Sequence, residues 1–180
     1  MSDPEKWLAN WRAAGAWSLS RHDLAKEGLL ASAFLPTKAI LNCAKELKEA
    51  NFSLLDLSAL ETQEGFVVTY HFDSLNEPGR LAFRALVPHK KPHLPSLYDV
   101  FQGAEWHERE TADFFGLIFD QNPNLIPLLL ADDHYGPPPL RKNPADLAPL
   151  KKLGLLGSFE ILDPDFGALI GEDSQKESQS

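Results

Sequence analysis

Apolar and polar residues change period along this chain, and the changes mark out its elements. Near the start, Trp7, Leu8 and Trp11 fall on one side of a helical projection, with Pro4 in the first turn, Glu5 near its positive end and Ser2 as the expected cap. Leu29 to Leu35 is an apolar run of strand length, and Pro36-Thr37 ends it and starts the next helix. Over residues 37–50, Ile40, Cys43, Ala44 and Leu47 keep the helical stripe while Lys45, Glu46, Lys48 and Glu49 face outward. The period then drops to that of strands. Leu55 and Leu57 alternate with Asp56 and Ser58. Phe66, Val68, Tyr70 and Phe72 alternate with Val67, Thr69 and His71, and Leu81, Phe83, Ala85 and Val87 with Arg80, Ala82 and Arg84. Each of these three strands should have one wet face. Asn76 and Pro78-Gly79, within the Asp73 to Gly79 connection, suit an antiparallel hairpin between the second and third.

A strand, a helix and then a three-stranded antiparallel meander predict an α+β fold: an antiparallel sheet with helices on one face, ferredoxin-like in topology. Three prolines in residues 88–95 end the sheet, Ser96 caps a turn, and Ala104 to Phe115 reads as a polar-rich helix. Beyond Gly116 the character changes. Eight of the 14 prolines lie between Pro123 and Pro164, and Pro137-Pro138-Pro139 is a stiff extended run. Apolar clusters persist there, namely Leu125-Ile126-Pro127-Leu128-Leu129-Leu130 and Leu153 to Leu156 with Phe159, Ile161 and Leu162. A segment so broken by proline must bury them against the domain or a partner. The expected organisation is an α+β domain over 1–116, an extended, proline-rich partner-binding arm over 117–171 and a disordered tail over 172–180.

Composition narrows the function classes. The chain has 180 residues, room for one domain plus an extension. Its longest proline-free apolar stretch, around Leu128 to Ala131, is far short of the ~20 residues of a membrane helix. Met1 to Lys6 carries acids and no apolar leader core, which predicts a chain that stays in the cytosol. Acidic residues number 26 against 17 basic, and the net charge of -9 disfavours nucleic acid and anionic lipid as partners. Cys43 is the only cysteine, so no internal disulfide, and no zinc or iron-sulfur site built from this chain's thiolates alone, is expected. Redox cofactors would sit on other chains.

Histidine offers no metal site either. Pro92 breaks the helix that would bring His89 and His93 together, and Thr111 stands where the zinc-protease pattern opened by His107-Glu108 needs its second histidine. Gly154 and Gly157 lack the Lys-Ser/Thr pair of a phosphate loop.

The densest unusual stretch is Trp106-His107-Glu108-Arg109-Glu110-Thr111-Ala112-Asp113-Phe114-Phe115-Gly116. On a helix, Glu105, Arg109 and Asp113 are successive i,i+4 neighbours, which sets one arginine between two carboxylates. Two environments are open: a solvated face, or a buried or interfacial ionic cluster held by Trp106 and Phe114-Phe115 against apolar surface. A carboxylate-based hydrolase using Glu108, Glu110 and Asp113 is a third, remoter possibility, since no nucleophile accompanies them.

Glu108-Arg109-Glu110-x-x-Asp113-x-Phe115-Gly116-x-x-Phe119, preceded by Leu97-Tyr98-Asp99-Val100-Phe101 and Ala104-Glu105-Trp106, resembles the signature of the 30-kilodalton (C-type) subunit family of complex-I-type NADH:quinone oxidoreductases. Pro139-Leu140-Arg141-Lys142 is similar to a second turn of that family. The resemblance covers roughly residues 29–144 and implies signature or interface roles for Glu108, Arg109, Glu110, Asp113, Gly116, Leu140, Arg141 and Lys142. It further implies a non-catalytic chain bracing the peripheral arm against the large hydrogenase-like, quinone-site subunit, beside iron-sulfur subunits. Iron-sulfur clusters, flavin or [NiFe] would then belong to partner chains, and the chain would be peripheral on the cytoplasmic side of the inner membrane. The alternative within the family is the equivalent subunit of an energy-converting [NiFe] hydrogenase or formate hydrogenlyase. Where the family reads His-Pro-Asp-Leu-Arg-Arg this chain has Asn122-Pro123-Asn124-Leu125-Ile126-Pro127, and Asn143 replaces the acid after Arg141-Lys142.

Overall fold

The computed structural model describes residues 3–76, 78–131, 133–153 and 159–170, the last stretch without the side chains of Phe159 and Ile170. Helix α1 (Pro4–Ala13) leads into β1 (Ser18–Arg21), the short α2 (Leu24–Glu27), β2 (Ala31–Phe34) and α3 (Thr37–Glu49). The meander β3 (Phe52–Glu61), β4 (Phe66–Ser74) and β5 (Arg80–Val87) follows, then β6 (His93–Pro95), α4 (Ala104–Phe115) and β7 (Ile118–Asp120), and finally β8 (Phe159–Ile161) and α5 (Pro164–Ile170). The main sheet has the order β3-β4-β5-β2-β1-β8, antiparallel except for β2 beside β5, and β6 pairs in parallel with β7.

Local chemistry explains the starts and stops. Asp3 Oδ1 accepts from the Glu5 amide at 3.0 Å and caps α1; Ser2, the expected cap, lies outside the described residues. Helix α3 begins after Pro36, whose ring fixes φ at the entry, and covers the predicted stripe. One face of the sheet packs on α1, α3 and α4. Trp7, Trp11, Ile40, Cys43 and Leu47 meet Leu57, Tyr70, Phe72 and Phe83, with Phe72 and Phe83 ring centroids 4.9 Å apart. Burying a side chain of this size contributes about 1.5–3 kcal/mol, so this face carries most of the stability.

The α+β class and the antiparallel meander follow the sequence pattern, but four details differ. The order β-α-β-β-β-α replaces the βαββαβ order of a ferredoxin-like unit, because the hairpin continues into β5 instead of a second crossover helix. Leu55 is exposed: a bulge between Leu54 and Asp56 inserts one residue, turning Leu55 outward and Leu54 toward the core. The second sheet face is not uniformly wet. Phe34 and Val67 are buried there under Leu150 and Phe166, with Trp17, Leu86, Leu153 and Ile161 around them. Finally, the core does not stop at Gly116. Leu117 and Phe119 lie in the main core, and β8 pairs with β1, because the chain after α4 carries the apolar residues that both faces need. Leu155, Leu156 and the tail 172–180 lie outside the described residues.

Candidate protein-docking site

Helix α4 places its charged residues on three different sides, and each side has a distinct task. Glu108 points inward and is fully buried. Its Oε1 accepts from the Leu97 amide at 2.7 Å, and its Oε2 accepts from Ser96 Oγ at 2.6 Å and Asn122 Nδ2 at 2.8 Å. Burial pushes this carboxyl above its usual range and outweighs the three donors, with the charge of Glu105 adding to the rise. Glu108 thus ties the entry and exit of α4 together as a buried, hydrogen-bonded acid.

Arg109 and Asp113 face the segment that follows β7. Arg109 is 9 % exposed; its Nε donates to the Ile126 carbonyl and its Nη2 to the Pro127 carbonyl, both at 3.0 Å, while Nη1 lies 3.5 Å from Glu105 Oε1. Asp113 Oδ2 accepts from the amides of Leu128, Leu129 and Leu130 at 2.9, 2.8 and 3.1 Å. Partial burial pushes the Asp113 carboxyl upward, but those three amides and the Arg109 charge outweigh it and hold the group below its usual value. Asn124 Nδ2 completes the set by donating to Glu105 Oε1 at 2.8 Å. The solvated-face environment is therefore excluded for this row: it grips backbone. Asn122 and Asn124 satisfy Glu108 and Glu105 as neutral amides.

The consequence is an outward apolar ledge. With the backbone of 126–130 held from behind, Ile126 is 59 % and Leu129 60 % exposed, beside partly exposed Leu125. Trp106, expected against apolar surface, does not find it on the chain itself; it is 64 % exposed, one helical stripe over from Arg109. Glu110, four residues on, is exposed and makes no hydrogen bond or ion pair among the described residues. Glu108, Glu110 and Asp113 face different ways: Glu108 is buried against Ser96, Leu97 and Asn122, Asp113 holds the amides of 128–130, and Glu110 is exposed.

The other signature residues form a second anchor. Gly116 ends α4 with φ +73°, donating its amide to the Ala112 carbonyl at 2.8 Å, and a Cβ there would lie 3.1 Å from Pro138 Cγ. The Leu140 amide donates to the Phe114 carbonyl at 3.0 Å. Arg141 donates through Nε and Nη2 to Glu61 Oε1 at 3.3 and 3.2 Å, and the Lys142 amide donates to Glu61 Oε2 at 2.9 Å. Leu140 and Lys142 contribute backbone here, their side chains being exposed. Glu61, buried at the end of β3, is a residue that the sequence reading passes over. A signal for it exists: it continues the inward register of Leu57 by four residues, so an acid there needs partners.

By class, the chain is an α+β domain whose α4 clamps an exposed apolar ledge. The chain matches the family model described as respiratory-chain NADH dehydrogenase, 30 Kd subunit, over residues 34–146, and belongs to that family. It is 36% identical over 94 residues to the C subunit of NADH-quinone oxidoreductase from Mycolicibacterium paratuberculosis, a stretch covering 52% of this chain and 40% of the relative. With the corresponding protein of Mycolicibacterium gilvum it shares 38% over 96 residues, 53% of this chain and 41% of the relative. The matched stretch thus spans about two fifths of these relatives' length. Among solved structures, a trypsin-resistant fragment (1-134) of Nqo5 superposes with TM-score 0.58 at 27% identity, over 67% of this chain and 98% of the fragment. A chain of the membrane-bound sulfane sulfur reductase, an archaeal respiratory membrane complex, shares the fold with TM-score 0.65 at 24% identity, over 83% of this chain and 86% of that one.

Proposed function

We propose that this chain is a structural subunit of a complex-I-type NADH:quinone oxidoreductase, bracing the peripheral arm against the large hydrogenase-like, quinone-site subunit. The observation that carries the reading is the ledge: Arg109 and Asp113 are used up on the backbone of 126–130, and what they present outward is Ile126 and Leu129 with Trp106 beside them. A rigid apolar surface loses little conformational entropy when it binds. Iron-sulfur clusters, flavin or nickel-iron chemistry would reside on partner chains. Cys43 supports this, for it is buried on the core face of α3 and its thiol is pushed up to about 12 by burial, with Glu46 adding to the rise. None of the helices among the described residues is long and apolar enough to cross a membrane, and attachment at the cytoplasmic side of the inner membrane would come through partners.

The double variant Trp106→Ala/Leu129→Ser tests the reading, since both side chains are exposed and the isolated chain should melt normally. The fraction of chain in the membrane complex on native gels should fall, while NADH:quinone turnover per assembled complex stays near normal. Normal assembly with turnover per complex down about a hundredfold would refute bracing and point to chemistry on α4.

A further inference from the structure

The chain has six arginines, and five have a carboxylate partner: Arg12 with Glu160, Arg21 with Glu5, Arg80 with Asp73, Arg109 with Glu105 and Arg141 with Glu61. Arg84 has none within 4 Å among the described residues, although it is only 8 % exposed. It lies on β5 opposite Phe34 of β2, on the sheet face turned away from α4. Its guanidinium sits 5.9 Å over the Phe34 ring, and Nη1 donates to Ser32 Oγ at 3.2 Å. Ser32 is itself held by His22 Nε2 at 2.7 Å, whose Nδ1 meets Glu27 at 2.6 Å, so Glu27 is engaged elsewhere. On the neighbouring strands His71 faces Asp56 at 3.4 Å, and burial, opposed by Asp56 but joined by the charges of Arg84 and Arg80, holds that imidazole below its usual value.

What remains of Arg84 is one edge. Nε is buried without a hydrogen-bond partner, and Nη2 makes none among the described residues. Nε and Nη2 form the side-on fork that takes a carboxylate bidentately. Arg141 uses that edge on Glu61, and Arg109 uses it on two carbonyls. A buried cation without its anion destabilises a fold, and natural proteins seldom keep one. We infer that the Nε/Nη2 edge of Arg84 receives the carboxylate of an aspartate or glutamate from a partner subunit, inserted at the sheet face opposite α4. A single carboxylate neutralises this single cation, whereas a doubly charged phosphate would meet the fields of Glu27 and Asp56. The inference rests on the reading of the chain as a subunit of a complex and adds a second contact on its other side.

Two variants test it in the full-length chain. Arg84→Met removes the charge while keeping an apolar stem. The isolated chain should then melt at a higher temperature than wild type, while affinity for the complex falls about 30-fold or more, read as the fraction assembled on native gels. Arg84→Lys in the assembled complex, treated with a water-soluble carbodiimide, should give an amide between the introduced amine and an Asp or Glu of another chain, located by mass spectrometry. A link to Glu172, Asp173 or Glu177 of the chain itself would overturn the inference, as would no link together with normal assembly of Arg84→Met, or a lower melting temperature for Arg84→Met. Assembly of the wild type on the same gels is a separate readout: its failure would count against the subunit reading itself.

Discussion

Arg109 and Arg84 are almost equally buried, yet they stand at opposite ends of a scale of satisfaction. Arg109 has two carbonyls and a carboxylate from its own chain. Arg84 has, among the described residues, one serine hydroxyl. The first is a finished piece of internal architecture, whose product is the shape of the surface it supports. The second is unfinished in the isolated molecule. The lesson is that burial alone does not tell a structural arginine from a recognition arginine; the count of donors left without acceptors does.

The comparison breaks most severely if the chain that the clamp holds is removed. Deleting residues 117–180 takes away Leu117, Phe119, Leu150, Phe166 and β8, and the remainder should show no cooperative thermal melt. A cooperative melt would mean that the first 116 residues fold alone and that the later chain is an arm after all. Arg109→Ala should come next, at about 3–5 kcal/mol, because it removes the cation beside Glu105 and Asp113 and leaves the Ile126 and Pro127 carbonyls without their donors. Denaturant unfolding reads it, and a loss below about 1 kcal/mol would return the row to the class of exposed ion pairs.

The subtlest effect is in pH, where Asp113 and Glu108 should act with opposite sign. The folded carboxyl of Asp113 lies below its usual 3.8, so its contribution is present above that value and lost as the pH falls through the folded one. Glu108 lies above its usual 4.5, so the fold binds the extra proton, and stability is lost as the pH rises from 4.5 through the raised value. Relative to wild type, Asp113→Asn should flatten the acid-side loss and Glu108→Gln the loss above 4.5. Identical pH profiles for all three proteins would contradict both assignments.

Legibility from sequence divides along a physical line. Elements governed by local period are readable: α3 and α4 fall where their stripes place them, and the β4-β5 hairpin where its turn residues do. The row Glu105, Arg109, Asp113 is visible as a helical stripe, but its targets are not, because the carbonyls of Ile126 and Pro127 leave no mark in side-chain chemistry. Arg80 and Arg84 alternate identically in sequence, yet one is paired at the rim and the other buried, since strand order decides which neighbour covers them. Alternation misplaces Leu55, because it cannot announce a bulge, and it misses the burial of Val67, which depends on chain arriving more than 80 residues later.

The pairing of β8 with β1 carries a consequence for biosynthesis. Ser20 stands opposite Phe159, 139 residues later in the chain. At ribosomal speeds of roughly 5–20 residues per second, the strand must wait on the order of ten seconds for its neighbour. Throughout that interval one side of β1 offers open amides and carbonyls to any extended peptide nearby. The nascent polypeptide thus carries an adhesive margin along β1 until residues 159–161 arrive to cover it.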